Sequence, residues 1–443
     1  MKKALFILII FGFLARFWHF GYIPLSLYWD EVAIGLDARS LIQTGKDLNN
    51  RSWFQPLFIS YGDYKAPVYI WLTTLIGRII SVSEVSIRLP SLISFFGSAW
   101  LLFQLIKLIN PNKKLLPWLV LASYSISPWS FHFSRIGFES HLSLFWLLLS
   151  IYLVIRHQVI LGALAVIAGI YTYLSLRIIA PIMFLITYWL YSKNKPKQLF
   201  ISLILIGFSL LILIKSPEYQ NSQQYRMSND NLITAVLPKT TKLKNYLINY
   251  SNYFDPQFLF LNGDPNLRHH SGFGGELLLV QLPLLIIGST GFLTRSKANL
   301  LLLSWLLFSP TIAALVNETP HASRAIYLLI PLSILIGLGW EQISARKNLR
   351  LIIVLALTFN FLLYLHDYFI HYPGRSAQAW IKPYKDAAVK KYDQPVYINP
   401  VLYKPELYFA FYRHDLNLLK PNQQFFYYLP AKCPEGAICL RDF

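Results

Sequence analysis

Charged residues are scarce in this sequence, whereas apolar residues are abundant. Only 14% of the 443 residues are charged, while 55% are hydrophobic and 16% are aromatic. A soluble domain carries about a quarter of its residues as charged ones, so the composition argues against a soluble enzyme or binding domain. The apolar residues form runs of about the ~20 residues that cross a bilayer. The sequence therefore predicts a polytopic membrane protein.

Cysteine is almost absent, and the familiar soluble-enzyme motifs are missing. The two cysteines, Cys433 and Cys439, lie near the end of the sequence, and a disulfide between them requires an oxidising compartment. We expect such a bond, because we place the tail outside the cell. HExxH, CxxC, Walker and GxGxxG signatures do not occur. Zinc-protease, CxxC redox and nucleotide-fold chemistries therefore have no support.

Basic residues outnumber acidic ones by 40 to 21, which gives a formal net charge of +19. Such an excess can indicate a nucleic-acid surface. Here, however, Lys and Arg lie mostly in short loops between apolar runs, where they act as topology signals. We therefore predict a lipid bilayer as partner and no nucleic acid. The bulky residues after the first run offer no signal-peptide cleavage site, so we expect an uncleaved anchor.

Eleven spans follow from this alternation, with the N-terminus inside and the C-terminus outside. Each predicted inner loop carries Lys or Arg. Residues 66–80 are apolar on one side but short, and we expect an interfacial helix there, because a span would place the later positive loops outside. The predicted spans are about 4–23, 88–109, 115–133, 140–155, 159–174, 178–191, 199–214, 276–294, 299–316, 324–340 and 351–369.

The expected fold is therefore all-α, with a membrane domain over residues 1–369 that carries long outer loops at 24–85 and 215–275. Residues 370–443 change character and predict a small extracytoplasmic α/β domain. We find no internal repeat, which a transporter built from two similar halves often shows. In the tail we predict helices over 376–392 and 405–412 and strands over 395–398 and 425–429.

Polar residues suited to chemistry gather on the predicted outer face. The first cluster is Tyr28-Trp29-Asp30-Glu31, and paired carboxylates at the mouth of a span are costly unless they face water or a cavity. A carboxylate can accept a proton from an attacking hydroxyl, Arg and Lys bind phosphate, and His with carboxylates holds divalent cations. Besides Asp30 and Glu31, the candidates are Lys65, Arg88, Arg135, Arg268 and Arg324 for phosphate, Asp63, His269 and His270 for a metal, and Tyr64, Glu139 and His321 beside them. Arg177 and Asp264 lie on the same predicted face.

The carboxylates also have purely structural interpretations. Asp30 and Glu31 suit the positive N-terminus of a surface helix. Arg135 and Glu139 have the i,i+4 spacing of an ordinary helical ion pair. Both interpretations stay open at the level of sequence.

The cations and histidines have structural alternatives too. Lys65 and Arg88 stand where basic side chains anchor a helix at the membrane interface. His269 and His270 are adjacent, and adjacent histidines usually point apart, which makes them a weak metal signal. A charge or an imidazole at these positions is therefore not sufficient to assign a site.

Three segments resemble the GT-C glycosyltransferases, and most closely the branch of protein O-mannosyltransferases and lipid A aminoarabinose transferases. Asp30-Glu31 resembles the acidic pair after the first span. Tyr64-Lys65-Ala66-Pro67 resembles a Lys-Pro-Pro segment, and Ile87-Arg88-Leu89-Pro90-Ser91 resembles the Arg-Leu-Pro-Ser start of the next span. The resemblance covers residues 28–110 well and the remaining spans by pattern only. It implies that Asp30 is the general base, with Glu31 beside it, and that Lys65 binds the phosphate of a polyprenyl-phosphate sugar.

The sequence departs from that branch at two positions. Tyr64 stands where the branch often has an acid before the lysine, with Asp63 one place earlier, which puts a metal ligand at this point in doubt. Ala66 stands where the branch has proline. The segment nevertheless keeps its lysine.

We therefore predict an inverting, multi-pass plasma-membrane glycosyltransferase that works on the extracytoplasmic face. The donor is expected to be a polyprenyl-phosphate-linked sugar, because that face has no ready supply of nucleotide sugars. A divalent metal is a candidate cofactor, and the acceptor is a hydroxyl of a protein, lipid or glycan. Two alternatives stay open: a transporter or lipid flippase, with its ionisable groups at mid-membrane, and a binding protein built on an inactive transferase scaffold.

Overall fold

The first part of the chain builds the elements on which the predicted site residues lie. The computed structural model describes residues 2–60, 63–227, 232, 235, 237–290, 296–316, 318–343, 347–390, 396–398, 404–419, 426–428 and 438–440. Helix α1 is Lys2–Leu14 and continues as a 3-10 turn to Phe17, and α2 is Trp29–Thr44. Strands β1 (Phe58–Ser60) and β2 (Asp63–Lys65) pair antiparallel. Helix α3, Pro67–Ile80, then starts on a proline, which suits a first helical position because it needs no N–H donor there.

Thirteen α-helices form the rest of the predicted membrane domain and its outer loops, within the described residues. In the described part of the chain, five segments are long and apolar enough to cross a membrane: Glu84–Ile109, Pro196–Lys215, Lys297–Leu315, Ile326–Ile343 and Leu349–Ser376. The helices are α4 (Glu84–Ile109), α5 (Leu116–Ile126), α6 (Pro128–Phe133), α7 (Glu139–Ile155), α8 (Val159–Ile170), α9 (Leu176–Thr187), α10 (Pro196–Lys215), α11 (Pro217–Met227), α12 (Lys239–Asn252), α13 (Gln281–Thr290), α14 (Lys297–Phe308), α15 (Leu329–Ile343) and α16 (Lys347–His366).

Each predicted span contains helix, but several differ from a simple rod. The predicted first span, 4–23, is helical only to Phe17. The predicted third span breaks into α5 and α6, because Ser127 is extended (ψ 130°) ahead of Pro128, as residues before proline prefer. Helix α8 has 12 residues, fewer than the ~20 of a full span, and α13 has 10 within the described residues. The count of eleven spans stays a prediction.

Two glycines let α13 and α15 pack closely. A Cβ on Gly288 would lie 1.8 Å from the carbonyl oxygen of Leu335, and one on Gly339 would lie 1.9 Å from that of Leu284. Small residues at facing positions are a common way for membrane helices to approach, because apolar side chains gain little by leaving lipid. Any larger residue at either position would force these two helices apart.

The tail holds helices α17 (Tyr372–Ser376), α18 (Lys382–Val389) and α19 (Pro405–Tyr412). The predicted helix 405–412 has the observed bounds, whereas the predicted helix 376–392 is wrong: Ile381 has φ 52°, and α18 starts only at Lys382 with Pro383 in its first turn. Strands β3 (Val396–Ile398), β4 (Phe426–Tyr428) and β5 (Ile438–Leu440) form a parallel sheet in the order β4-β3-β5. The sequence interpretation missed β5, on which Cys439 lies, and Cys433 is outside the described residues.

The tail helices pack against α2 and the start of α4. Arg39 of α2 donates to the carbonyls of Ala410 and Phe411 at 3.2 and 2.9 Å. The hydroxyl of Tyr408 donates to the carbonyl of Leu27 at 3.1 Å, and Lys385 forms an ion pair with Glu84 at 2.9 Å. These contacts attach the tail directly behind the helix that carries Asp30.

The predicted topology leads to a labelling result. In a variant with both native cysteines replaced by serine, Asn194→Cys lies between Lys193 and Lys195 in an exposed position. We expect an impermeant maleimide to label it only after permeabilisation, because positive loops stay in the cytoplasm. Lys46→Cys, in the predicted outer loop, should react in intact cells. Labelling of Asn194→Cys from outside intact cells would reverse the topology.

Candidate active site

Asp30 and Glu31 lie side by side at the start of α2 but face different surroundings. Successive side chains on a helix point about 100° apart. The Asp30 side chain is 36% exposed and lines a cavity, while the Glu31 side chain is fully buried. The carboxylate of Glu31 accepts a hydrogen bond from the backbone N–H of Tyr28 at 3.0 Å, as in a capping box. The helix-capping interpretation therefore applies to Glu31.

Glu31 is held by a buried ion pair with Arg88. Arg88 Nε donates to its carboxylate at 3.1 Å, and the N–H of Gly137 donates at 2.6 Å. A Cβ on residue 137 would lie 2.9 Å from Oε1 of Glu31, so this close approach needs glycine. Arg88 also donates to the carbonyls of Gly21, Pro24 and Ser26 at 2.9, 2.9 and 2.6 Å. Arg88 therefore lies behind the cavity, away from the phosphate position that the sequence interpretation gave it.

Glu31→Gln is expected to destabilise the protein by about 3 kcal/mol, because removing one partner of a buried ion pair leaves the other charge uncompensated. The matched control is Glu341→Gln, which breaks the more exposed ion pair between Lys113 and Glu341 and should cost ~1 kcal/mol or less. Thermal unfolding in detergent measures both. Equal losses of stability in the two variants would show that the Glu31–Arg88 pair does not hold this part of the fold.

A cavity of about 350 Å³ brings together nine of the predicted site residues. Its walls come from the N-terminus of α2, β2, the start of α7, the turn before α9 and two later loops. The nine are Asp30, Asp63, Tyr64, Lys65, Glu139, Arg268, His269, His321 and Arg324. Residues more than 290 positions apart in the sequence therefore share one cavity, which is the main candidate site.

Lys65 joins Asp30 at the centre of this cavity. Its Nζ lies 2.6 Å from Oδ1 of Asp30, and its side chain is only 5% exposed. Burial acts to lower the pKa of Lys65, but the nearby carboxylates of Asp30, Glu139 and Asp63 outweigh burial and raise that pKa above its usual value. The lysine therefore stays cationic over the whole physiological pH range.

Two arginines on later loops add positive charge. The guanidinium of Arg268 stacks over the ring of Tyr28 at 3.9 Å from its centroid. Nη2 of Arg324 lies 3.7 Å from Oε2 of Glu318. The other terminal nitrogen, Nη1, is buried without a hydrogen-bond partner in the described part of the chain. Buried donors normally find an acceptor, so Nη1 of Arg324 can still donate a hydrogen bond to an acceptor atom of a ligand. Arg177 also lines the cavity, although the sequence interpretation gave it no specific role.

Arg135 and His270 do not line the cavity. Arg135 is buried and donates to the carbonyls of Arg16 and His19. It does not form the helical ion pair with Glu139, because α7 begins at Glu139 and the i,i+4 spacing is not helical there. His270 points away from His269 and accepts from the N–H of Gly272 at 3.0 Å. Neither residue is placed to bind a ligand in the cavity.

Asp264, His269 and His321 form a buried cluster whose candidate ligand atoms lie within 4.8 Å of one another. Nδ1 of His269 lies 3.1 Å from Oδ2 of Asp264. The centroids of the His269 and His321 imidazole rings are 4.2 Å apart. Burial lowers the pKa of His321 well below its usual value, so this imidazole is neutral and able to bind a cation. Burial acts to raise the pKa of Asp264, but the hydrogen bond and charge of His269 lower it overall.

This cluster changes the predicted metal ligands. Two imidazoles and one carboxylate match the three protein ligands of a zinc site with an open position. His269 belongs to it, whereas Asp63 and His270 lie elsewhere; Asp63 is on β2. Asp264 and His321 were missed as ligands, because their sequence separation shows no recognisable spacing. Only the fold brings them together.

No family model matches this chain, and no curated protein sequence matches it. Similar solved structures exist. ArnT from Cupriavidus metallidurans bound to undecaprenyl phosphate has a TM-score of 0.60 and 10% identity, over 94% of this chain and 85% of that chain.

Two structures of an archaeal oligosaccharyltransferase are also similar. AglB from Archaeoglobus fulgidus with an inhibitory peptide and a dolichol-phosphate has a TM-score of 0.53 and 12% identity, over 93% of this chain and 63% of that chain. The enzyme in complex with Zn and sulfate has a TM-score of 0.51 and 13% identity, over 93% and 61%. At these identities the likeness shows a shared fold, which is the GT-C membrane fold.

Proposed function

We propose that this protein with the GT-C fold is an inverting glycosyltransferase that moves a sugar from a polyprenyl phosphate to an acceptor hydroxyl. The observation that carries the proposal is the pairing of Asp30 with Lys65 at 2.6 Å in a cavity that also holds Arg268 and Arg324. The similar structures bind undecaprenyl phosphate and dolichol-phosphate. A base and phosphate-binding cations are the two requirements of this reaction.

In the proposed reaction, Asp30 is the general base. The acceptor oxygen attacks the anomeric carbon, and Asp30 takes the hydroxyl proton as the new C–O bond forms. The bond from the anomeric carbon to the phosphate oxygen breaks on the opposite side, which inverts the anomeric centre. The polyprenyl phosphate leaves with the electron pair of that bond. Atoms and charge balance without any oxidant or reductant.

The leaving phosphate is stabilised by the cations of the cavity. Lys65 remains charged and lies against Asp30, so the same side chain can contact both the base and the phosphate. Arg324 has a free buried Nη1, and arginine binds phosphate through paired donors. Donors aimed at developing charge in a site that excludes water lower the barrier. We therefore assign Lys65, Arg268 and Arg324 to the phosphate.

An apolar groove beside the cavity accommodates the polyprenyl chain. It has a volume of about 450 Å³ and adjoins the cavity where the N–H of Val68 donates to the carbonyl of Tyr171 at 3.1 Å. Ala66 and Thr172 line the cavity, while Val68 and Tyr171 line the groove. The rest of the groove is lined mainly by Phe54, Pro56, Trp71, Leu164, Ile167, Ala168 and Ile212. A phosphate in the cavity can thus continue directly into an apolar chain.

The test uses the purified full-length protein in nanodiscs with a panel of polyprenyl-phosphate sugars of two chain lengths. We expect release of polyprenyl phosphate with at least one sugar, and a preference for the chain long enough to fill the groove. Inversion is read from the anomeric configuration of the product. Movement of intact donor across liposomes without cleavage would instead support the transporter alternative. If no donor of the whole panel is cleaved and none is moved, the proposal is overturned.

A divalent cation fits the cluster of Asp264, His269 and His321, and a bound cation would supply positive charge near the donor phosphate. We expect zinc to bind the purified protein, as measured by elemental mass spectrometry after dialysis. His321→Ala should lower the zinc affinity by at least ~100-fold, the upper end of what losing an outer-shell partner costs. His270→Gln is the matched control, because that histidine lies outside the cluster. Equal zinc binding in both variants would remove His321 from the ligands.

A further inference from the structure

Helix α12, Lys239–Asn252, lies in the segment 215–275 that is predicted from sequence to be a long outer loop, yet it presents an apolar face to its surroundings. Leu243 and Leu247 are 60% and 56% exposed, and Ile248 is 48% exposed. Leu243 and Leu247 lie one turn apart, and Ile248 lies on the neighbouring row of the helix. The three side chains form a continuous patch, with Lys244 in the same row as Ile248.

The level of α12 relative to the bilayer follows from what it contacts. The hydroxyl of Tyr250 donates to the carbonyl of Leu307 at 2.8 Å, close to the end of α14. Nδ2 of Asn249 donates to the carbonyls of Ala314 and Val316, both at 3.1 Å. The segment Lys297–Leu315 is long and apolar enough to cross a membrane. α12 is therefore attached to the end of this segment at which Ile312 and Val316 line the cavity, and a spanning segment leaves the bilayer at its ends.

We propose that α12 docks on the lipid surface of the leaflet on the cavity side. Its three apolar side chains enter the boundary between headgroups and acyl chains, as those of amphipathic interfacial helices do. Residues 239–252 contain three lysines, Lys239, Lys242 and Lys244, and no Asp or Glu. This charge suits anionic lipid headgroups rather than the apolar core, and the flexible stem of Lys244 lets its ammonium reach the phosphates.

Docking also supports a wall of the cavity. Oδ1 of Asn249 accepts a hydrogen bond from Thr319 at 3.0 Å, in addition to its two bonds to Ala314 and Val316. Val316 and Glu318 line the cavity. Asn249 therefore connects a helix on the lipid surface with the loop that bounds the site. The lipid contact itself does not depend on which reaction the cavity performs.

The test is fluorescence of an environment-sensitive label on single cysteines in full-length protein with Cys433→Ser and Cys439→Ser, in nanodiscs. Labels on Leu247→Cys and Ile248→Cys should emit at shorter wavelength, be quenched several-fold by lipids with a nitroxide at carbon 5, and resist iodide. A label on Lys46→Cys, in the exposed loop after α2, should be quenched by iodide only. Iodide quenching of all three labels alike would overturn the proposal. A blue shift without nitroxide quenching would also overturn it and indicate a second copy or another protein over the patch.

A second variant separates docking from folding. Leu243→Ser with Leu247→Ser removes most of the patch, and because neither side chain is covered by the rest of the protein, the thermal unfolding midpoint in detergent, without a bilayer, should stay at the wild-type value. The label on Ile248→Cys should then lose its nitroxide quenching. Persistent quenching in this folded variant would show that the apolar patch does not hold α12 at the lipid surface.

Discussion

Asp30→Asn is expected to abolish sugar transfer while the protein still folds and still binds donor. The substitution keeps the shape of the side chain and removes the group that accepts the proton of the acceptor hydroxyl. A positioned carboxylate contributes roughly 10²–10⁴-fold to such a step, so turnover should fall by at least about 100-fold. Asp30 is suited to this role because its carboxylate is partly exposed to the cavity, whereas that of Glu31 is buried against Arg88.

The matched control is Asp63→Asn. Asp63 lines the same cavity and also acts on the charge of Lys65, so this variant removes one negative charge from the site and leaves Asp30 in place. We expect Asp63→Asn to retain most of the transfer rate. The measurements are the single-turnover rate and the donor affinity of each variant. If Asp30→Asn turns over at the wild-type rate, the general base is another residue. If Asp30→Asn and Asp63→Asn lose turnover equally, the loss comes from the change in net charge of the cavity and not from the loss of a base.

Lys65→Ala is expected to weaken donor binding by about 10–100-fold, which corresponds to the ~1.5–3 kcal/mol of a charge-assisted hydrogen bond. Without the lysine, the carboxylates of Asp30, Asp63 and Glu139 face the incoming phosphate with one less cation between them. Turnover at saturating donor should fall as well, because Lys65 contacts the proposed base directly. Both the apparent affinity and the rate should therefore change.

Lys65→Arg tests whether charge or shape matters at this position. It keeps the positive charge and should recover part of the donor affinity, although a guanidinium is not equivalent to an ammonium. Lys46→Ala removes an exposed lysine from the same predicted outer loop and should leave both quantities unchanged. Isothermal titration with a donor analogue and single-turnover kinetics measure the three variants. Unchanged affinity and rate in Lys65→Ala would exclude this residue from the site.

Several features of the protein follow from local sequence. The apolar runs and the scarcity of charge predict a helical membrane protein, because the bilayer offers no water to satisfy an open backbone. The Asp30-Glu31 pair and the Lys65 segment lie within a stretch of fewer than 40 residues, and their local pattern was sufficient to propose them. The helix over 405–412 was predicted with its observed bounds, because Pro405 provides a clear start and Glu406, Leu407 and Ala410 are good helix formers.

Tertiary structure decided which polar residues share the cavity. Arg88 and Lys65 look equivalent in sequence, since each is a cation near the start of an apolar helix. In the structure Lys65 meets Asp30 in the cavity, whereas Arg88 is buried against Glu31 and three carbonyls. Asp264 and His321 are more than 50 residues apart, yet lie in one candidate cation site. Sequence records side-chain chemistry and local spacing, but the distance between groups on different loops depends on how the helices between them pack.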